Sequence, residues 1–167
     1  MKTVLEVLQS TATYFTKAGV ESARLNIEHL LAHVLGKKRR MDLYLEFDRP
    51  LGEGELGPLR DLVRRRAAGE PLQHLLGTVE FLGHTFRCDA RALIPRPETE
   101  QLAQMLLERF PEPPARIADI GTGSGVLALS LAAHFETAEV HAVDISPDAL
   151  ALARENAHAL GLHERVR

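Results

Sequence analysis

A glycine-rich turn between two apolar segments most limits how this 167-residue chain can fold. Residues 116–120 are typical of a buried strand, and residues 126–134 are typical of an apolar helix. Between them the sequence reads Asp-Ile-Gly-Thr-Gly-Ser-Gly, at residues 119–125. Glycines adopt positive φ readily and let a ligand approach the backbone closely. A turn of this kind, after a strand and before a helix, predicts an α/β unit that binds a nucleotide.

The segments around the turn alternate between strand and helix patterns. Residues 99–110 predict an amphipathic helix, and residues 139–144 predict a second strand. Pro147 marks the start of a further helix that reaches about Leu160, since proline is favoured at the first helical position. Val166 is a candidate for the opening of a third strand. This order predicts a parallel sheet with right-handed crossovers.

The first half of the chain has a different pattern. Residues 1–76 repeat apolar side chains at helical spacing, with Gly19, Gly36 and Gly69 placed to end helices. Residues 78–88 alternate around Gly83, which predicts a β-hairpin. We therefore expect a helical domain at 1–76, a hairpin linker at 77–92, and an α/β domain from residue 93 to residue 167.

The spacing of glycines and acids narrows the choice of nucleotide. Asp144 lies 19 residues after Gly125, where a carboxylate can accept both hydrogen bonds of a ribose diol. Counted from Gly121, the GxGxxG fingerprint of NAD enzymes needs its third glycine at position 126, but this position holds Val126. Asp119 would repel a pyrophosphate but tolerates a cation. The pattern favours S-adenosylmethionine over NAD, and over a purely structural turn. The predicted cofactor-binding residues are Asp119, Gly121, Thr122, Gly123, Ser124, Gly125 and Asp144.

Three stretches of sequence together resemble one enzyme family. Leu93-Ile-Pro-Arg-Pro-Glu-Thr-Glu100 precedes the glycine-rich turn, and Val143-Asp-Ile-Ser-Pro-Asp148 follows it. This order resembles the peptide chain release factor N(5)-glutamine methyltransferases, from about Pro71 onwards. The IPRPETE stretch is the specific part, because enzymes that methylate a glutamine of a ribosomal protein have similar cofactor motifs but differ after Ile-Pro-Arg.

The resemblance implies a small all-α N-terminal domain that helps to engage the release factor. A Rossmann-like class I methyltransferase domain follows, of which this sequence holds the first strands. The resemblance also implies that S-adenosylmethionine lies along residues 121–125, with its ribose held by Asp144. Pro95, Arg96 and Glu98 are implied to lie along the active-site wall. The expected reaction is methylation of a glutamine side-chain amide in peptide chain release factors.

One motif of the family is missing from this sequence. The family carries Asn-Pro-Pro-Tyr after its fourth strand, and these 167 residues contain no such motif. Because that loop is implied to hold the substrate glutamine, we expect no catalytic residue here and no activity from the chain alone. Three alternatives stay open: a ribosomal-protein glutamine methyltransferase, a nucleic-acid amino-methyltransferase, and a non-catalytic fragment that binds a partner.

Composition limits the remaining functions. A net charge of −3 gives no general attraction to nucleic acid, although the basic run at residues 37–40 is a candidate for RNA contact. The single cysteine, Cys88, excludes an intramolecular disulfide. His29 and His33 share a helix face but have no third ligand in sequence, so no metal site is predicted. The sequence contains no apolar run of about 18 residues, and we expect a cytoplasmic protein.

Overall fold

The computed structural model describes residues 2–167, which divide into two compact units between Leu76 and Gly77. Each unit has buried apolar clusters of its own. The predicted cofactor-binding residues and the segment before them all lie in the second unit, Gly77–Arg167.

Helices provide the regular structure of the first unit. They are α1 (Val4–Lys17), α2 (Ala23–Val34), a 3₁₀-helix (Arg40–Leu45), α3 (Glu53–Ala67) and α4 (Leu72–Leu76). Thr3 and Glu6 form a capping box at the start of α1, since each side chain accepts a hydrogen bond from the other's backbone amide. Large apolar side chains from α1 and α2 fill the core, among them Leu8, Phe15, Ile27, Leu30 and Leu31.

A buried carboxylate ties the 3₁₀-helix to α2. Glu28 is 2% exposed and accepts three hydrogen bonds of 2.7 Å, from Arg24, Arg40 and Tyr44. Burial raises the pKa of Glu28, but the three donors outweigh burial and leave the pKa below its ordinary value. Because a buried charge is costly unless it is paired, these bonds fix the 3₁₀-helix against α2.

Internal ion pairs occupy most of the basic run at residues 37–40. Lys37 pairs with Glu46, Arg39 pairs with Asp42, and Arg40 pairs with Glu28. Charges that are neutralised within the protein attract a polyanion weakly. These pairs favour a structural role for the run over RNA contact.

The second unit contains a hairpin followed by a strand–helix–strand–helix segment. Its elements are β1 (Thr78–Phe81), β2 (His84–Arg87), α5 (Pro97–Arg109), β3 (Arg116–Ile120), α6 (Val126–His134), β4 (Glu139–Val143) and α7 (Pro147–Ala159). β1 and β2 pair antiparallel, while β3 and β4 pair in parallel from Arg116–Glu139 to Ile120–Val143. Val166 forms an isolated parallel bridge with Val140 at the other edge of β4. This topology confirms the predicted fold class, a helical region followed by a Rossmann-like α/β domain.

The hairpin belongs to the core of the second unit. Phe81 and Phe86 pack edge to face with ring centroids 6.2 Å apart, and both are buried in one cluster with Val126 and Leu129 of α6. Residues 77–92 are predicted from the sequence to form a linker, but burial of Phe81 and Phe86 holds the hairpin in this unit. The wider division into domains at 1–76 and 93–167 stays a prediction.

The start of α5 differs from the sequence-based expectation. α5 begins at Pro97 instead of Thr99, because Pro97 occupies the first helical position, after Arg96 in extended conformation. None of the helices within residues 2–167 is both long and apolar enough to cross a membrane.

Candidate cofactor site

The glycine-rich turn joins the end of β3 to the start of α6. Its three glycines all have positive φ, at 81° for Gly121, 56° for Gly123 and 81° for Gly125. The amides of Gly121 and Thr122 donate to the carbonyl oxygen of Val143, at 2.7 and 2.9 Å. These bonds hold the turn against the carboxyl end of β4, the edge at which open α/β sheets bind ligands.

Asp144 follows β4 directly and reaches the turn. Its Oδ1 accepts from the amide of Ser146 and its Oδ2 accepts from the amide of Gly123, each at 2.9 Å. The hydrogen bonds from Ser146 and then Gly123 hold the pKa of Asp144 below its ordinary value. The carboxylate is therefore ionised at neutral pH. Lone pairs that these amides leave free can accept further donors.

The three glycines face different surroundings. A methyl group built on Gly121 would meet no heavy atom within 4 Å, whereas one on Gly123 would lie 3.9 Å from the side chain of Ala92. A methyl group on Gly125 would lie only 3.1 Å from side-chain atoms of both Ala153 and Leu129. Gly121 thus leaves its backbone open to a ligand, and Gly125 permits close packing of α6 against α7.

The polar side chains of the turn point into the protein. Thr122 is 6% exposed and Ser124 is 3% exposed. The Thr122 hydroxyl donates to Oδ2 of Asp119 at 2.8 Å. The structure brings all the predicted cofactor-binding residues together, but it buries the side chains of Thr122 and Ser124 and uses Asp119 to support the turn. The part that each plays in binding stays a prediction.

Exposed apolar side chains accompany the carboxylate at the same sheet edge. Ile120 is 75% exposed at the end of β3, Val143 is 47% exposed at the end of β4, and Ile145 is fully exposed after Asp144. An ionised carboxylate next to apolar surface fits a ligand that carries both a hydroxylated sugar and an apolar ring.

The segment predicted as the active-site wall begins beside the turn. Ala92, which immediately precedes it, is the neighbour of Gly123. Pro95 is half-buried, while Arg96 and Glu98 are exposed. Within residues 2–167, no hydrogen bond or ion pair joins these three candidates to the turn. Their place along the active-site wall stays a prediction.

Glu100 makes a contact that the sequence pattern does not predict. Its carboxylate accepts a hydrogen bond of 2.8 Å from the amide of Leu82, whose φ is 46° in the hairpin turn. This bond attaches the first turn of α5 to the hairpin. The two residues lie 18 positions apart, so no local sequence pattern signals the contact.

Two cavities border the β3–β4 pair. One of about 360 Å³ is lined by Gly125, Leu129, Leu150, Ala153 and His158, among others. Another of about 260 Å³ has Asp119 in its lining, beside apolar residues that include Leu106, Phe110 and Leu127. Neither is lined by Gly121 or Asp144. Of the predicted cofactor-binding residues, Gly125 therefore lines one cavity and Asp119 the other, while Gly121 and Asp144 lie outside both.

Two families match the two parts of the chain. Residues 6–77 match the family described as PrmC N-terminal domain. Residues 96–167 match the family described as methyltransferase small domain. The second match contains both the glycine-rich turn and Asp144.

Curated proteins named release factor glutamine methyltransferase are similar to most of this chain. The protein of Chlorobaculum tepidum is 43% identical over 98% of the chain and 58% of its own length. That of Geobacter sulfurreducens is 46% identical over 95% of the chain and 55% of its own length. That of Escherichia coli is 42% identical over 85% of the chain and 51% of its own length. The chain thus spans about half the length of these relatives.

Proposed function

Because the chain belongs to the release factor glutamine methyltransferase family, we propose that the protein transfers a methyl group from S-adenosylmethionine to a glutamine side-chain amide of a peptide chain release factor. The relatives from Chlorobaculum tepidum and Geobacter sulfurreducens are named for this activity. The cofactor assignment rests on one observation: Oδ2 of Asp144 accepts a hydrogen bond of 2.9 Å from the amide of Gly123.

The residues present fit the cofactor. Asp144 would hold the ribose through lone pairs that Gly123 and Ser146 leave free. Gly121 would provide the open backbone along which the nucleoside lies. Asp119 adds negative charge near a ligand that carries a positive sulfur and an ammonium group. The other residues contribute through the shape that they give the turn: Thr122, Gly123, Ser124 and Gly125.

The reaction is transfer of a methyl group from sulfur to an amide nitrogen. When bound, S-adenosylmethionine supplies a methyl group that the positive sulfur already activates. Transfer of that methyl group to the glutamine amide would leave S-adenosylhomocysteine and release one proton to water. An amide nitrogen is a weak nucleophile because its lone pair is delocalised into the carbonyl. Alignment of the reacting atoms is therefore the main task, and it can lower a barrier by about 7–11 kcal/mol. Asp144 and the glycine turn contribute by holding the cofactor in one position.

The segment before the glycine turn and the helical unit have proposed roles in binding the substrate. We place Pro95, Arg96 and Glu98 along one wall of the active site, supported by the position of Ala92 beside Gly123. We assign binding of the release factor to the helical unit, supported by its match to the PrmC N-terminal domain. Release factors act on ribosomes, so the proposal also puts the protein in the cytoplasm.

Calorimetric titration tests the cofactor assignment. We expect the chain to bind S-adenosylmethionine and S-adenosylhomocysteine in preference to NAD. Asp144→Asn should weaken binding about tenfold or more, because it removes a charged acceptor. Asp148→Asn is the matched control, since Asp148 is an exposed acid in the first turn of α7 and, within residues 2–167, its side chain makes no hydrogen bond or ion pair with the glycine turn. Preference for NAD, or equal binding by the two variants, would contradict the assignment.

Methyl transfer tests the substrate. A labelled methyl group from S-adenosylmethionine should appear on a glutamine of a purified release factor when these 167 residues are joined to a segment that supplies the Asn-Pro-Pro-Tyr loop, as located by mass spectrometry. It should not appear with the 167 residues alone. Transfer to a ribosomal protein or to nucleic acid in place of the release factor would support the corresponding alternative.

A further inference from the structure

A buried polar side chain of α7, that of Asn156, contacts the glycine turn at Ser124. α7 buries Ala149, Leu152, Ala153 and Ala157 at helical spacing, and Asn156 lies on the same face with 1% exposure. A polar group on an apolar helix face is costly unless its hydrogen bonds are satisfied. The amide of Asn156 therefore needs partners, and these partners indicate its role.

Asn156 joins the turn to the end of β2. Its Nδ2 donates to the carbonyl oxygen of Ser124 at 2.9 Å and to that of Arg87 at 3.2 Å. Its Oδ1 accepts from the amide of Arg87 at 2.7 Å. Each kind of hydrogen-bonding atom that the side chain has is used. One side chain thus links the turn at Ser124 to the strand from which the chain continues towards Ala92 and the predicted active-site wall.

The hydrogen bond to Ser124 restrains the peptide group that follows Ser124 in the turn. The peptide group between Ser124 and Gly125 has its carbonyl held by Asn156, and its amide donates to the carbonyl of Thr122 at 2.9 Å. Both poles of this peptide are therefore engaged, so it cannot rotate without losing a buried hydrogen bond. The peptide before Gly123 is held separately, through its amide, by Asp144.

We propose that Asn156 is a positioning residue for the cofactor turn: it acts through the Ser124 carbonyl to hold residues 121–125 in the shape that binds S-adenosylmethionine, and through Arg87 to hold the segment before the active-site wall. This inference rests on the proposed function. Asn156 is 1% exposed and makes its hydrogen bonds to backbone groups of Ser124 and Arg87, so its proposed effect on the cofactor is indirect.

Substitution of Asn156 tests the proposal, and substitution of its neighbour Glu155 is the control. Asn156→Leu has a similar volume and removes all three hydrogen bonds. Glu155→Gln weakens the ion pairs to Arg87 and Arg91 but leaves the turn untouched. Calorimetry with S-adenosylhomocysteine, well below the melting temperature of each variant, should give a dissociation constant raised at least fivefold for Asn156→Leu and within twofold of the parent for Glu155→Gln. An unchanged affinity for Asn156→Leu would overturn the proposal.

Amide hydrogen exchange separates positioning from general stability. In the absence of ligand, Asn156→Leu should speed exchange at Gly123 and Gly125 more than at the paired residues of β4. Equal acceleration throughout the second unit would mean a merely structural role and would overturn the proposal. If Asn156→Leu does not fold, the unaltered chain decides: S-adenosylhomocysteine should slow exchange of the Arg87 amide as well as the turn, and protection of the turn alone would count against Asn156.

The same experiments distinguish failure of this inference from failure of the proposed function. If the unaltered chain binds neither S-adenosylmethionine nor S-adenosylhomocysteine, the cofactor assignment fails. The exchange rates without ligand still report whether Asn156 holds the turn. If the unaltered chain binds and Asn156→Leu binds equally, only the positioning role fails.

Discussion

Alanine at two glycines of the turn separates backbone strain from packing. Gly121 and Gly125 have the same φ of 81°, in a range that L-residues rarely adopt, so alanine is strained at both. That conformation costs an L-residue about 1–2 kcal/mol. The methyl group has open space at position 121, but at position 125 it lies 3.1 Å from Ala153 and Leu129. Any extra destabilisation by Gly125→Ala therefore measures packing between α6 and α7.

The size of the packing cost follows from the distance. Carbon atoms pack best at about 3.5–4.0 Å, so a contact of 3.1 Å forces a shift of a helix or a side chain. Overpacking of this kind costs about 1–3 kcal/mol. We expect Gly121→Ala to lower the free energy of unfolding by about 1–2 kcal/mol and Gly125→Ala by about 2–5 kcal/mol. The difference corresponds to about a 5- to 150-fold change in the opening equilibrium.

Native-state hydrogen exchange at the amides of β4 is the suitable assay. These amides lie in the second unit, whereas denaturation followed over the whole chain would combine both units. S-adenosylhomocysteine affinity should show the reverse order, with Gly121→Ala the more harmful because its methyl group enters the proposed ligand surface. Equal destabilisation by the two variants would refute the packing argument, and unchanged affinity in Gly121→Ala would refute the placement of the ligand.

Three further predictions concern charge and burial. Because the pKa of Asp144 is lowered in the folded protein, its contribution to folding stability is complete above the ordinary carboxyl pKa and is lost as the pH falls through the lowered pKa. NMR titration should therefore give Asp144 a pKa below that of an ordinary aspartate, and an ordinary pKa would contradict this. Glu28→Gln should destabilise the helical unit by about 2–4 kcal/mol, since it leaves two partly exposed arginines without their buried partner; tyrosine fluorescence during urea denaturation measures this, and a change under 1 kcal/mol would show that the pairs are dispensable. Phe86→Ala should destabilise the second unit by about 3–5 kcal/mol, as seen by exchange in β4, because Phe86 is fully buried; no effect there would mean that the hairpin is not part of that core.

The strands and the turn could be predicted because their signals are local. The strand at residues 116–120 has the predicted bounds, since prolines precede it and glycines follow it. Asp144 could be identified because an acid at the end of the second strand falls at a fixed interval from the turn. The parallel pairing of β3 with β4 then places this acid at the turn without further information.

The directions of side chains in the turn could not be predicted. Thr122, Ser124 and Gly125 share one motif, yet the structure buries two side chains and packs the third position against α7. Which way each residue faces depends on three positive φ values and on how closely α6 approaches Ala153. These are properties of packing, and the sequence of the motif alone does not contain them.

Variants of Asp144 and Asn156, compared with each other, separate the shape of the turn from direct contact with the cofactor. Asp144 holds Gly123 and is also the proposed ribose acceptor, so its loss removes both the shape of the turn and a direct contact. Asn156 holds only backbone groups, at Ser124 and Arg87, so its loss removes shape alone. Without ligand, both substitutions should loosen the turn in hydrogen exchange. With S-adenosylhomocysteine, Asp144→Asn should lose more affinity than Asn156→Leu for the same loosening, and that excess is the part of binding due to the sugar contact itself. If the two variants lose the same affinity for the same increase in exchange of the turn, Asp144 only supports the shape of the turn and the ribose is held elsewhere.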